Sequence, residues 1–84
     1  MLKVHVIIKG QVWQVHLNED SRKLGCDILK REIWVNGETE LVEKNLYRFM
    51  QIAVDYEYAN NNQPGEGEVE YLCNKLLMAY RLRI

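Results

Sequence analysis

Two segments in which apolar and polar residues alternate open the chain. They cover residues 2–9 and 12–17 and flank Gly10-Gln11. Glycine at the first central position is what a two-residue type II′ turn requires. Counting outward from this turn places the following apolar side chains on one face: Val4, Val6, Ile8, Trp13, Val15 and Leu17. The alternation therefore predicts an N-terminal antiparallel β-hairpin with one face toward the core.

The segment after the hairpin has a weaker pattern. Residues 18–25 fit a polar loop or a single helical turn. Apolar residues between Cys26 and Val35 follow neither the period of a strand nor that of a helix. We predict a third strand near Ile28 to Val35, with a bulge at Lys30-Arg31.

The Asn36-Gly37 pair either closes a short hairpin out to Leu41 or bends the chain from a strand into a helix. Asn-Gly is a strong hairpin signal, but a hairpin here would place Ile33 opposite Glu40 and leave no clean apolar face. Helical spacings of four, three, four and three separate Val42, Leu46, Phe49, Ala53 and Tyr56. We therefore predict a bend, keeping the hairpin as the alternative.

Two helices complete the predicted fold. The first begins at Glu40 or Leu46, with Thr39 as a suitable N-cap, and ends near Ala59. A run of asparagines, Pro64 and two glycines then interrupt the pattern. A second helix follows from about Val69 to near the C-terminus. The prediction is one α+β domain over residues 1–84, in which an N-terminal antiparallel hairpin and a third strand are covered by two C-terminal α-helices.

The amino-acid composition limits the classes of partner that the protein could bind. The formal net charge of -1 provides no global field for nucleic acid or an anionic membrane. No apolar run is long enough for a membrane span or a signal peptide. Cys26 and Cys73 lack the spacing of a metal or redox pair, so we expect reduced thiols, mostly buried. We expect no cofactor, no membrane and a cytoplasmic location, which is the host cytoplasm if the protein is viral.

The two histidines are the most specific candidates for chemistry. Counted from the predicted turn, His5 lies directly opposite His16, with Cβ atoms about 4.5 to 5.5 Å apart. Two imidazoles at this distance could share a metal ion, but a stable site needs further ligands, and none lies at a recognised spacing. We take both as solvated surface residues and as weak candidates for a metal site.

The first helix carries a second apolar stripe beside its core stripe. Either this stripe packs on the second helix, or it is exposed and binds another protein. An acidic run from Asp55 to Glu70 contains no basic residue and could steer a basic partner. The predicted interface residues are Tyr47, Met50, Val54, Tyr58, Glu66 and Glu68.

These observations favour a small, non-enzymatic protein-binding or regulatory module, acting through a helical apolar face and an acidic loop. Its partner is another protein or a second copy of the chain as a homodimer, and its small size would suit a phage or accessory modulator of a larger host protein. One alternative is a metal-binding protein or enzyme using His5 and His16. Another is a weak nucleic-acid binder using Trp34 with Lys30 and Arg31.

Overall fold

The computed structural model describes residues 2–17, 23–36, 39–59 and 67–82. A four-stranded mixed sheet from the N-terminal region is followed by two C-terminal helices, which confirms the predicted α+β fold. The elements in chain order are β1 Leu2–Ile8, β2 Gln11–Leu17, β3 Gly25–Asp27, β4 Glu32–Val35, α1 Thr39–Glu57 and α2 Glu68–Leu82.

The hairpin turn lies one residue earlier than predicted. Lys9 and Gly10 form it, with φ angles of 49° and 78°, and positive φ at both central positions is the signature of a type I′ turn. Ile8 consequently faces Gln11 rather than Trp13. The predicted type II′ turn at Gly10-Gln11 is wrong because Lys9 adopts a left-handed conformation that only the backbone reveals. The register changes by two residues, so the apolar face of the hairpin is unchanged.

The predicted third strand is confirmed only in its second half. Residues 28–31 form a turn in which the side chain of Asp27 accepts a hydrogen bond from the Lys30 amide at 3.1 Å. Arg31 closes the turn in the left-handed region, with φ of 53°. This turn joins β3 and β4 as an antiparallel pair, while β4 runs parallel to β2. The strand order is β1-β2-β4-β3.

The chain passes from β4 into a helix, as the spacing of apolar residues predicted. Since α1 starts at Thr39, the residues that a hairpin out to Leu41 would need as a strand are helical, and that alternative is wrong. Of the predicted bend, Asn36 is described, whereas Gly37 lies outside the described residues.

One face of the sheet packs against both helices and forms the core. α1 contacts β1 and β4, and α2 contacts β1, so α2 lies toward the β1 side of the sheet. The largest fully buried side chains are Trp13, Ile8, Leu17, Ile33, Leu46, Met50 and Leu76. Among the residues described, neither helix has both the length and the apolar character needed to cross a bilayer.

The helices run antiparallel, and polar contacts join them at both ends. Arg81, near the end of α2, contacts Glu43 in the first part of α1. At the opposite end, the Tyr58 hydroxyl donates a hydrogen bond to Glu68, which raises the pKa of this tyrosine. These contacts place the end of each helix beside the start of the other.

We expect Lys9→Asn to raise the free energy of unfolding by up to about 1 kcal/mol, because asparagine adopts the left-handed conformation more readily than lysine. Gly10→Ala should lower it by about 1 kcal/mol or more, since alanine is strained at positive φ. A Cβ at position 10 would meet nothing within 4 Å, so the effect is confined to the backbone. Urea unfolding monitored by tryptophan fluorescence measures both changes. A Gly10→Ala variant as stable as the wild type would contradict the positive φ of Gly10 in this turn.

Candidate functional site

A buried carboxylate fastens the end of α1 to the sheet. Glu57 accepts hydrogen bonds from the Trp13 indole N–H and from Nε of Arg31, both at 2.7 Å. Only 6% of the Glu57 side chain is exposed. The backbone carbonyl of Arg31 also accepts a hydrogen bond from the Gln14 amide at 2.9 Å. This cluster connects strand β2, the β3–β4 turn and helix α1, and it is occupied by its own internal bonds.

The ionisation of Glu57 depends on these neighbours. The Arg31 guanidinium is the main cause of a lowered pKa for Glu57, and the Trp13 N–H and the charge of Lys9 act in the same direction. The carboxylate in turn raises the pKa of Arg31. A negative charge at the last residue of α1 meets the negative end of the helix dipole. Arg31 and Trp13 offset this cost, so the cluster stabilises the junction between the end of α1 and the sheet.

The outer face of the sheet carries a second polar cluster, centred on Trp34. The His16 ring stacks on the Trp34 ring, with centroids 5.4 Å apart and planes 7° from parallel. Nζ of Lys23 lies 3.8 Å from the centroid of the same ring. Nε2 of His16 also lies 3.2 Å from a carboxylate oxygen of Glu32. Trp34 is therefore held between side chains from the β2 side and the β3 side.

The predicted His5–His16 pair is not formed. With the turn at Lys9-Gly10, His5 faces Gln14, and Lys3 faces His16. His5 and His16 are then diagonal neighbours across the two strands, with backbone positions about 7 to 8 Å apart. The predicted direct pairing, on which the shared metal ion depended, is therefore wrong. Among the described residues, no cluster of three or more His, Cys, Asp or Glu side chains is placed to hold a metal ion.

The setting of Trp34 also bears on the nucleic-acid alternative. Binding of a single strand by stacking needs an aromatic face open to a base. The His16 ring stacks on the Trp34 ring, and Nζ of Lys23 also lies over it, so these side chains already contact the surface that a base would need. Of the two basic residues expected beside it, Arg31 is paired with Glu57 on the core side of the sheet.

The predicted interface residues divide into buried and accessible groups. Met50 and Val54 are buried in the core, so their predicted exposure is wrong. They lie seven and eleven positions after Glu43, on the side of α1 that faces α2. This part of the second stripe of α1 is therefore buried on the side of α2, as the competing interpretation expected.

The other predicted interface residues have different surroundings. Tyr47 is 52% exposed. Tyr58 is half-buried and bonded to Glu68. Glu66 lies outside the described residues, as does most of the loop between the helices. Of the predicted interface residues that the structure describes, only Tyr47 has a substantially exposed aromatic side chain.

The exposed large apolar side chains of α2 lie together on one side of the helix. Tyr71, Met78 and Leu82 are 65%, 62% and 71% exposed. Their spacings of seven and four place them in one stripe, opposite the buried face of α2. A groove of about 500 Å³ beside this stripe is lined by Asn74, Met78, Arg81 and Leu82. We call Tyr71, Met78 and Leu82 the α2 stripe.

The sequence prediction placed an exposed apolar face on the first helix only, and it therefore missed the α2 stripe. The buried residues of α2 are Val69, Leu72, Cys73, Leu76, Leu77 and Tyr80. Projected on a helical wheel, these form one continuous face that excludes Tyr71, Met78 and Leu82. A wheel drawn for the second helix would have identified the stripe.

Comparison of the chain with models of known protein families, with characterised proteins and with solved structures finds no match.

We expect Glu57→Gln to lower the free energy of unfolding by about 1.5 to 3 kcal/mol near neutral pH, the usual value of hydrogen bonds to a charged group. Because the pKa of Glu57 is lowered in the folded chain, the ionised carboxylate stabilises the fold. This contribution is complete above the ordinary pKa of 4.5 and is lost as the pH falls through the lower pKa of the folded state.

Urea unfolding of the two proteins from pH 7 to pH 3 measures the difference. The difference in the free energy of unfolding between wild type and Glu57→Gln should become smaller as the pH falls. Asp55→Asn is the control, because Asp55 is exposed and its carboxylate only accepts a hydrogen bond from Gln51 at 2.9 Å. A difference between wild type and Glu57→Gln that stays constant with pH would refute the ionic role of Glu57.

Proposed function

We propose that the chain is a small, non-enzymatic protein-binding module that contacts a larger protein through the α2 stripe. The observation that carries the proposal is the exposure of Tyr71, Met78 and Leu82 along one side of a helix. Each apolar square ångström removed from water contributes about 25 cal/mol. Three large side chains on a preformed helix are a favourable starting surface for association.

The residue types support this use of the surface. Tyrosine and methionine are enriched at protein interfaces, and methionine adapts its shape to an irregular partner. The groove beside Met78 and Leu82 offers a concave surface next to the stripe. The partner we propose is an amphipathic helix whose apolar residues lie along the stripe, a common mode of peptide recognition.

Charged residues border the stripe and would orient the partner. Glu70 and Lys75 are exposed on the same helix, and Arg81 is exposed at the groove although it contacts Glu43. Exposed charges at the rim of an interface mainly affect the association rate and the choice of partner. Two residues of the acidic run, Asp55 and Glu70, are exposed. We propose that their negative charges help to attract and orient a basic partner.

We also propose a cytoplasmic location. Cys26 and Cys73 are both free thiols, and burial raises the pKa of Cys73 to about 11. Free, largely protonated thiols suit a reducing compartment.

We expect Tyr71→Glu and Met78→Glu each to weaken partner binding about tenfold or more, because a charge in the centre of an apolar contact must be desolvated. A photo-crosslinking residue at position 78 of the full chain, expressed in cells of the source, identifies the partner. Calorimetry with the purified partner then measures the affinity of each variant.

Leu29→Glu is the matched control. Leu29 is 87% exposed in the β3–β4 turn, away from α2, so this variant makes the same chemical change outside the stripe and should bind normally. Urea unfolding verifies that all three variants remain folded. Normal affinity in both α2 variants, or the absence of any crosslinked protein at position 78, would refute the proposal.

A further inference from the structure

The outer edge of β1 is the longest open edge of the sheet. β1 pairs with β2 on one side only, and no other strand of the described ranges lies on its other side. It has seven residues and contains no proline. The opposite edge, β3, has only three residues. A long, regular edge strand presents unpaired backbone groups that can pair with another chain.

The hydrogen-bond pattern identifies which backbone groups point outward. The Gln14 amide bonds to the carbonyl of Arg31, so it points away from β1. His5, which faces Gln14, therefore belongs to a non-hydrogen-bonded pair, and its own N–H and C=O point to the open edge. By the alternation of an antiparallel ladder, the same holds for Lys3 and Ile7.

These outward groups complement those of an identical strand. Antiparallel pairing of two β1 strands about His5 places His5 opposite itself and Lys3 opposite Ile7 of the partner subunit. Each of the three residues offers one donor and one acceptor, and this register uses all of them. Registers centred on Val4 or Val6 leave one end of the strand unpaired.

We propose that two copies of the chain form a homodimer by antiparallel pairing of their β1 strands, centred on His5, which joins the two sheets into one of eight strands. The residues of this edge differ from those of the α2 stripe, so the dimer is argued and tested independently of the proposed protein-binding function.

Side chains on both faces of β1 fit this arrangement. On the core face, Leu2 and Val4 are only partly buried although they pack on the core. The proposed register brings Leu2 next to Ile8 of the partner subunit and Val4 next to Val6 of the partner subunit, which covers them. On the outer face, the two Lys3 side chains lie at opposite ends, so no like charges face each other.

A second copy of the chain would cover more of the apolar surface at this edge than an unrelated strand would. Any extended peptide could fill the backbone groups, but the partly exposed Leu2 and Val4 lie beneath the helix layer. An identical subunit brings its own sheet and its own α2 up to the same edge, because α2 packs on β1. The apolar layer then continues from one subunit to the other.

Sedimentation equilibrium of the full chain over a range of concentrations tests the dimer. We expect the mass to rise from 10.0 kDa toward twice that value. His5→Pro should remain monomeric, because it removes the edge N–H of this residue while the β1–β2 ladder does not use that group. A wild-type chain that stays monomeric at every concentration overturns the proposal, as does a His5→Pro dimer.

Exchange of charges at position 5 tests the register without proline. His5→Lys and His5→Glu should each weaken self-association about fivefold, because like charges then lie directly opposite across the symmetry axis. An equimolar mixture of the two should restore association as a heterodimer. Gln14→Glu is the control, since Gln14 is beside His5 but on β2. A mixture no more associated than either variant alone refutes the register.

The same variants separate this dimer from the proposed function. His5→Pro should leave crosslinking at position 78 unchanged, whereas Tyr71→Glu should leave the dimer mass unchanged. A monomeric wild type that binds a foreign protein only when position 5 is histidine would assign the edge to that protein and overturn self-pairing.

Discussion

The structure depends on burying one face of the sheet. An 84-residue chain has enough helix to cover one side, and Trp13, Val15 and Ile33 are fully buried there. A small domain removes only a limited fraction of its surface from water on folding. The chain is too short to form a second layer that would cover the other face of the sheet. The other face and the β1 edge consequently remain at the surface, with Ile7 and Val12 exposed.

Much of the fold followed from periodicity, because a slip of one residue would have moved apolar side chains into water. The same argument could not fix the turn, since a slip of two residues preserves both faces. The left-handed conformation of Lys9 decided the register, and lysine carries no signal for it. Three-residue β3 was also beyond prediction, because a strand as short as Gly25–Asp27 has no measurable period.

The candidate site shows the same division between local pattern and tertiary packing. The sequence located a surplus of apolar residues on the first helix but could not decide whether this surplus packs on the second helix or is exposed. Packing of both helices on the sheet encloses Met50 and leaves Tyr71 exposed. The predicted pairing of His5 with His16 is wrong because it depended on the position of the hairpin turn. The Glu57 cluster joins residues 26 and 44 positions apart, which no spacing rule could have found.

Arg31 has a consequence for motion within the native state. Its carbonyl holds the β3–β4 turn to Gln14, and its side chain holds the end of α1 through Glu57. Loosening the turn therefore removes one of the two side chains that hold Glu57, and fraying of the helix removes the bond that orients the turn. The stability of the turn and that of the helix end are thus coupled through a single residue.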